Sequence, residues 1–214
     1  MEMVSSKGSR AIVVFSKAAE RGTVKTRLRS AIGDDHCLAL HLAMLQDTMD
    51  CCAGSGAAVV LYLAGEAGLP FSVSTPVCKQ VEGDLGTRMK RAFEETLPAF
   101  EKVVIVGTDA PGLTPSILEE AFRALDQKPL VLGPSEDGGY YLIGLNRMIP
   151  EVFEHIPWST REVLQRTLQK APAGEAHLLP VLFDVDAPDD LSRLELEIGR
   201  MPQARRTREW LASR

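Results

Sequence analysis

The sequence predicts an α/β protein whose sheet contains parallel strands, and three observations support this class. Short apolar runs without polar alternation occur at residues 11–15, 57–63, 103–106 and 129–133. Such runs are typical of strands buried on both faces. Segments with helical spacing of apolar residues follow several of these runs. Charged residues gather just after the runs, where open α/β sheets bind their ligands.

The elements of the first half follow from apolar spacing and turn residues. Asp34 or Asp35 is a suitable N-cap for the first helix, and Gly54 a suitable end. We predict, in order, a flexible start over residues 1–9, a strand over 11–15, a helix over 34–53, a strand over 57–63, a short edge strand over 77–81 and a helix from near residue 84 or 87.

The second half continues the alternation of strands and helices. Ser159 is favoured over Thr160 as a helix N-cap, because Glu162 completes a capping box with it. We predict, in order, a strand over 103–106, a helix over 116–125, strands over 129–133 and 140–145, a helix within 156–170, a strand over 177–185, a helix from residue 189 and a docked basic helix over 200–214.

Length and composition restrict the class of protein. The 214 residues predict a single domain, and 45% apolar and 25% charged residues are ordinary for a soluble globular protein. The net charge of −5 argues against a general nucleic-acid or anionic-membrane surface. The four cysteines form no zinc-type spacing, and the start of the chain has no apolar segment typical of a signal peptide. We therefore expect a cytoplasmic protein, with a homo-oligomer left open.

Acidic residues follow two predicted strands. Asp109 comes just past the strand over 103–106, where a carboxylate could face a ligand or a metal, although Asp is also common in turns. Asp184 and Asp186 are two residues apart on an extended segment and so face one side. A bound cation would offset their repulsion. The alternative for Asp186, or for Asp189, is capping of the next helix.

Cations and glycines complete the set of candidate residues. The loop after the first strand carries four cations that suit either a phosphate site or a solvated turn: Lys17, Arg21, Lys25 and Arg27. Arg88, near a helix N-terminus, suggests anion contact or a tolerated surface position. Gly138 and Gly139 follow Glu136 and Asp137, and allow either close approach of a ligand or a hairpin turn. Trp158 is either a hydrophobic staple or a platform for a ligand.

Together these motifs suggest a nucleotide-dependent transferase. Cations that hold phosphates and carboxylates that hold a divalent metal would meet at one edge of the sheet. The metal would be Mg²⁺ or Mn²⁺, because the cluster offers oxygen ligands and no Cys or His.

Six motifs, spread over about residues 11–195, carry a family resemblance: GTVKTRL, GDLGTRM, GTDAPGLT, GPSEDGGYYLIGL, WST and DVDAPDDL. With them the chain resembles the bacterial glycosyltransferase A family, which has the nucleotide-diphospho-sugar transferase fold and is similar to molybdenum-cofactor and 2-phospholactate guanylyltransferases. The resemblance implies a three-layer α/β/α sandwich with a Rossmann-like, mixed and mostly parallel sheet.

The resemblance also implies roles for individual residues. Asp109 matches the family's metal-binding acid, and Asp184 and Asp186 match the late acids that complete the metal site. The residues that match the nucleotide and phosphate contacts are Lys25, Arg27, Gly83, Asp84, Arg88 and Thr108. Beyond the resemblance, we expect the acceptor to lie on Gly138 and Gly139 beside Trp158, with Glu136 or Asp137 orienting it or acting as base, and with Asp109 as the third catalytic residue.

Three functions follow from these expectations. The leading one is metal-dependent transfer of a sugar from a nucleoside diphosphate sugar to a small acceptor. The second is nucleotidyl transfer from a nucleoside triphosphate with release of pyrophosphate. The third is a nucleotide-binding module without turnover. In each case the partners are small molecules, with no nucleic acid and no membrane.

Overall fold

A mixed sheet forms the centre of the protein. The computed structural model describes residues 8–214. Within these residues the strands are β1 (Gly8–Lys17), β2 (Ala58–Ala64), β3 (Val77–Lys79), β4 (Phe100–Val106), β5 (Leu130–Pro134), β6 (Tyr140–Leu145) and β7 (Ala176–Leu178). They form one sheet in the order β3-β2-β1-β4-β6-β5-β7.

The direction of the strands decides where the loops meet. β1 pairs in parallel with β2 and β4, with Val13 opposite Val60 and Ile105. β6 is antiparallel to both of its neighbours, β4 and β5. The turn from β5 into β6, at residues 135–139, therefore lies at the same edge as the carboxyl ends of β1 and β4.

Helices cover both faces of the sheet. Among the described residues they are α1 (Arg29–Ala53), α2 (Leu85–Thr96), α3 (Pro115–Ala124), α4 (Val163–Lys170), α5 (Pro188–Glu197) and α6 (Arg205–Ala212). α1 and α3 pack on the face that contains Ile12 and Val14. α2 and α4 pack on the opposite face, with Val13 and Ile105. The predicted three-layer α/β/α sandwich is confirmed.

A third apolar cluster joins the last helices to α1. Leu40 and Met44 of α1 pack with Leu194 of α5 and with Trp210 of α6, all of them buried. The prediction that the C-terminal helix docks by its apolar side is confirmed. No helix within residues 8–214 is both long and apolar enough to span a membrane.

Several predicted boundaries differ from the structure, and the largest differences have physical reasons. The strand expected over 177–185 ends at Leu178, since Pro180 has no N–H for the sheet, and pairing resumes only as a bridge between Ser135 and Leu182. A further helical turn from Arg29 precedes the helix predicted over 34–53, and the non-helical Gly33, at φ +76°, separates the two within α1. Of the predicted flexible start, residues 1–7 lie outside the described residues, and residues 8 and 9 belong to β1.

The predicted N-cap of the helix within 156–170 is wrong. α4 begins only at Val163, and Glu162 precedes it without a side-chain capping bond. Ser159 has φ +65°, in the left-handed region, and belongs to a loop before the helix. Contacts between this loop and the β5–β6 turn, described below, replace the expected capping box.

Asp47 anchors α6 to α1, and its removal should destabilise the fold. Its carboxylate accepts hydrogen bonds from the backbone N–H groups of Arg206 and Thr207, at 2.9 Å each, and from the Thr207 hydroxyl at 2.8 Å. We expect Asp47→Ala to lower the free energy of unfolding in urea by about 2 to 3 kcal/mol, because buried donors lose a charged acceptor.

Asp50→Ala is the matched control for this measurement. Asp50 is on the same helix and is mostly exposed, and it pairs with the Arg206 side chain. Its removal should cost less than about 1 kcal/mol. Equal losses in the two variants would show that Asp47 does not anchor α6.

Candidate functional site at the carboxyl edge of the sheet

The buried ammonium of Lys25 is at the centre of the candidate site. Lys25 follows β1 in a left-handed backbone conformation, with φ +49°. Its Nζ atom donates to Asp109 Oδ1 at 2.5 Å and to the Val185 carbonyl at 2.6 Å, and lies 3.4 Å from Asp186 Oδ1. The side chain is 3% exposed. Lys25 therefore joins the loop after β1 to both acid-bearing segments.

Charge attraction exceeds the cost of burial in this group. Burial disfavours the charged form of Lys25, but the carboxylates of Asp109 and Asp186 outweigh it and raise the pKa of Lys25. Burial likewise opposes ionisation of Asp109, yet the ammonium of Lys25 keeps the pKa of that carboxyl below its usual value. Lys25 and Asp109 are thus both charged at neutral pH.

Backbone hydrogen bonds bring the two acid-bearing segments together. The Val185 N–H donates to the Asp109 carbonyl at 2.9 Å, so Asp184 and Asp186 lie beside the end of β4. Asp190, in the first turn of α5, accepts from the N–H groups of Asp186 and Ala187 at 2.9 and 2.6 Å. The structure therefore places the three predicted metal-binding acids at one edge of the sheet.

Asp184 differs from the other two acids. Burial raises its pKa to about 7; a hydrogen bond with the Ser135 side chain opposes the shift, and the charges of Asp109, Asp137 and Asp186 add to it. The Asp184 carboxyl is thus partly protonated at neutral pH when no cation is bound.

These acids line an open cleft of about 850 Å³, a volume suited to a ligand of nucleotide-sugar size. Eight of the predicted site residues line this cleft: Arg27, Asp109, Glu136, Asp137, Gly139, Trp158, Asp184 and Asp186. Ser135, Asp190 and Arg161 also line it, and none of these three belongs to the predicted site residues. Arg161 directly follows the WST motif, and this position could have indicated it.

The neighbouring acids Glu136 and Asp137 have different partners. Arg193 of α5 donates to both oxygens of Glu136, at 2.5 and 3.0 Å, and lowers the pKa of that carboxyl. Asp137 Oδ1 accepts from the Gly139 N–H at 2.9 Å, and no described residue donates to its Oδ2. Asp137 is therefore the acid of this pair with an oxygen available to a ligand.

Gly138 fixes the loop that carries Trp158. A Cβ atom at Gly138, where φ is +91°, would lie 2.2 Å from the Arg161 carbonyl oxygen. The Gly138 carbonyl accepts from the Leu164 N–H at 2.9 Å. Gly138 thus packs under the loop rather than lining the cleft. The Trp158 ring itself packs against Gly86 of α2. A Cβ atom at Gly86 would lie 2.4 Å from the ring, so the absence of a side chain leaves room for it.

Several predicted nucleotide-side residues have local structural partners. Asp84 is the N-cap of α2 and accepts from the Thr87 N–H at 2.8 Å. Arg88 donates to the Gly83 carbonyl at 2.9 Å. Thr108 is buried and lines a separate cavity of about 10 Å³ near α1. The structure does not place these four residues, or Lys25, on the wall of the cleft.

Carboxylate oxygens that accept no hydrogen bond from the described residues remain at Asp109 and Asp186. Lys25 uses Oδ1 of Asp109 and of Asp186, and no described residue donates to Oδ2 of either acid. Both side chains are 45% exposed, and carboxylate oxygens suit Mg²⁺ and Mn²⁺. Among residues 8–214, however, no three Asp, Glu, His or Cys side chains are grouped closely enough to hold an ion. Phosphate oxygens of a ligand would have to complete the ligand set.

The raised pKa of Asp184 predicts a pH-dependent effect of its removal. A folded-state pKa of about 7, against 3.8 unfolded, means that Asp184 destabilises the fold increasingly as pH rises from about 4 through 7. We expect Asp184→Asn to raise the free energy of unfolding at pH 8 by up to about 4 kcal/mol, and by much less at pH 5. Urea denaturation in EDTA at both pH values measures this difference.

Asp189→Asn, at an exposed position in the first turn of α5, is the control. Its effect on stability should be nearly equal at pH 5 and pH 8. If Asp184→Asn stabilises the protein no more at pH 8 than at pH 5, the burial of an ionised Asp184 is not a cost to the fold.

Solved structures with a similar fold include two kinds of transferase. A protein from Desulfovibrio desulfuricans, provisionally named a nucleotide-diphospho-sugar transferase, is 31% identical over 96% of both chains, with a TM-score of 0.86. The 4-diphosphocytidyl-2C-methyl-D-erythritol synthase of Anaerococcus prevotii is 8% identical over 90% of this chain and 96% of its own, with a TM-score of 0.59.

A third similar structure holds ligands. Glucosyl-3-phosphoglycerate synthase from Mycobacterium tuberculosis, in complex with Mn²⁺, uridine diphosphate and glucosyl-3-phosphoglycerate, is 12% identical over 96% of this chain and 79% of its own. Its TM-score is 0.53. At this identity, as for the synthase of Anaerococcus prevotii, the likeness concerns the fold alone.

The fold expected from the resemblance, that of nucleotide-diphospho-sugar transferases, is thereby confirmed. A search of curated proteins finds no match. The sequence profile of one bacterial family matches residues 35–160, more than half of the chain. The chain therefore belongs to the family described as "uncharacterized protein conserved in bacteria" (DUF2064).

Proposed function

We propose that the protein is a metal-dependent transferase that moves a sugar from a nucleoside diphosphate sugar to a small acceptor. The observation that carries the proposal is the convergence of Asp109, Asp137, Asp184 and Asp186 with Trp158 in one cleft of about 850 Å³. The name of the relative from Desulfovibrio desulfuricans agrees with this activity. So do the ligands of the synthase from Mycobacterium tuberculosis.

The balance of charges in the cleft favours a nucleotide sugar over a nucleoside triphosphate. Six carboxyl groups line the cleft, those of Asp109, Glu136, Asp137, Asp184, Asp186 and Asp190, against the guanidinium groups of Arg27 and Arg161. Lys25 and Arg193 neutralise only part of this negative charge, through their ion pairs with Asp109, Asp186 and Glu136. A triphosphate brings more negative charge than a diphosphate ester, and therefore needs more cations. Carboxylates also accept hydrogen bonds from sugar hydroxyls, and the Trp158 ring offers an apolar surface to a sugar ring.

In the proposed reaction the residues act on two sides of the bond that breaks. Asp109 and Asp186, with Asp184, would hold Mg²⁺ or Mn²⁺, which supplies positive charge for the leaving diphosphate when bound. Arg27 would neutralise phosphate charge. The bond between the sugar's anomeric carbon and the diphosphate oxygen breaks, and the nucleoside diphosphate leaves with the electron pair. The acceptor oxygen forms the new bond to that carbon.

Asp137 is the proposed base for the acceptor hydroxyl. Its Oδ2 is available, whereas both oxygens of Glu136 are held by Arg193. A carboxylate whose pKa is lowered by an ion pair is also a weaker proton acceptor. The geometry thus favours Asp137 over Glu136, two acids that are equivalent candidates by sequence alone.

Product analysis with both kinds of donor tests the proposal. The protein is incubated in Mn²⁺ with nucleoside diphosphate sugars or nucleoside triphosphates, together with a panel of small acceptors. We expect release of nucleoside diphosphate with a glycosylated product. Asp137→Asn should lower turnover by about 10² to 10⁴ and leave the Kd for UDP within about twofold. Glu136→Gln, the matched control, should lower turnover less than about tenfold.

Other products would contradict the proposal in distinct ways. Pyrophosphate release without sugar transfer would show that the protein is a nucleotidyltransferase instead. Tight nucleotide binding without any turnover would show that it is a nucleotide-binding module. If Asp137→Asn and Glu136→Gln lower turnover equally, Asp137 is not the base.

A further inference from the structure

Arg161 is a cation of the cleft that the proposed reaction leaves without a role. It lines the cleft with Trp158, Ser159 and Thr160, and it is exposed. Among residues 8–214, no carboxylate forms an ion pair with its guanidinium and no group accepts a hydrogen bond from it. A free guanidinium in a cleft with six acids is available to an anion from outside the protein.

The loop that carries Arg161 is fixed in position. Ser159 holds a left-handed conformation, at φ +65°, which is uncommon for a residue other than glycine. The Thr160 hydroxyl donates to the Pro157 carbonyl at 2.7 Å and accepts from the Glu162 N–H at 3.3 Å. The absence of a side chain at Gly138 lets the Arg161 carbonyl approach the β5–β6 turn. The backbone of Arg161 is therefore placed before any ligand binds, which lowers the entropy cost of binding.

The second free cation of the cleft belongs to a different loop. Arg27 also has no carboxylate partner among the described residues, and it follows β1, two residues after Lys25. Arg161 is anchored on the β5–β6 turn, and β4 and β6 separate β1 from β5. The two arginines therefore enter the cleft from loops at different strands, and each has different neighbours.

The position of each arginine assigns its anion. Arg27 is on the side of Lys25, Asp109 and Asp186, where the proposed metal and diphosphate lie. Arg161 is on the side of Trp158 and of Asp137, the proposed base. We infer that Arg161 binds an anionic group of the acceptor, so that the acceptor of this transferase is a small alcohol bearing a phosphate or a carboxylate. This inference rests on the proposed function for the identity of the donor.

A planar guanidinium gives this site its chemistry. It donates two parallel hydrogen bonds to two oxygens of one phosphate or carboxylate, which a lysine ammonium cannot do. A neutral alcohol of the same size would leave Arg161 without a partner and would gain no orientation of its hydroxyl toward Asp137. Arg161 is thus a specificity-determining residue, and Asp137 remains the base.

Calorimetric binding of matched probes tests the inference without requiring turnover. Glycerol, glycerate and glycerol 3-phosphate are titrated into the full-length protein, as is inorganic phosphate. UDP with Mn²⁺ is titrated separately. We expect the anionic probes to bind at least about tenfold more tightly than glycerol. Arg161→Gln should weaken the anionic probes by about 10- to 100-fold and leave UDP with Mn²⁺ within about twofold. Glycerate against glycerol 3-phosphate distinguishes carboxylate from phosphate.

Two further variants keep the test specific. Arg161→Lys keeps the charge without the planar fork and should recover only part of the affinity. Arg166→Gln, on α4 and paired with Glu162 away from the cleft, should change nothing. Unchanged affinity for the anionic probes in Arg161→Gln would overturn the inference, as would loss of UDP binding in that variant. Failure of the unaltered protein to bind UDP, GDP, ADP, CDP or dTDP with Mn²⁺ would instead overturn the proposed donor, whatever the anionic probes do.

Discussion

The ion group of Lys25, Asp109 and Asp186 is the interaction on which the site depends. An ammonium that is 3% exposed would be costly without partners, and its three acceptors come from two distant segments of the chain. The fold provides these acceptors because a backbone hydrogen bond, from the Val185 N–H to the Asp109 carbonyl, joins the segment before α5 to the end of β4. The site therefore has a fixed floor, whose outer carboxylate oxygens face the cleft.

The sheet topology supplies the rest of the frame. Because β6 runs antiparallel between β4 and β5, the β5–β6 turn lies at the same edge as the loops after β1 and β4. That turn carries Asp137 and supports the loop of Trp158 and Arg161 through Gly138. Cations, acids and an aromatic ring from loops far apart in sequence thus meet in one cleft, and rigid backbone contacts determine their positions.

Much of this could be predicted from the sequence. Apolar runs such as residues 103–106 identify strands because burial on both faces leaves no polar alternation, and Asp109 follows such a strand directly. Other features depend on distant partners. Lys25 looks like a solvated or phosphate-binding cation, since nothing local shows that Asp109 and Asp186 enclose it. Likewise, the pairing of Glu136 with Arg193 joins residues 57 positions apart. The capping-box pattern at Ser159 likewise gives no sign of the contact between Gly138 and Arg161, which joins the loop before α4 to the β5–β6 turn.

Anomalous diffraction from crystals grown with Mn²⁺ and UDP tests the central claim most directly, namely that these acids hold a divalent ion beside a nucleotide diphosphate. The account predicts a manganese peak in contact with Asp109 and with Asp184 or Asp186, adjacent to the diphosphate, with Lys25 still beneath the acids. A nucleotide bound in the cleft with manganese at other residues, or with no manganese, would contradict it.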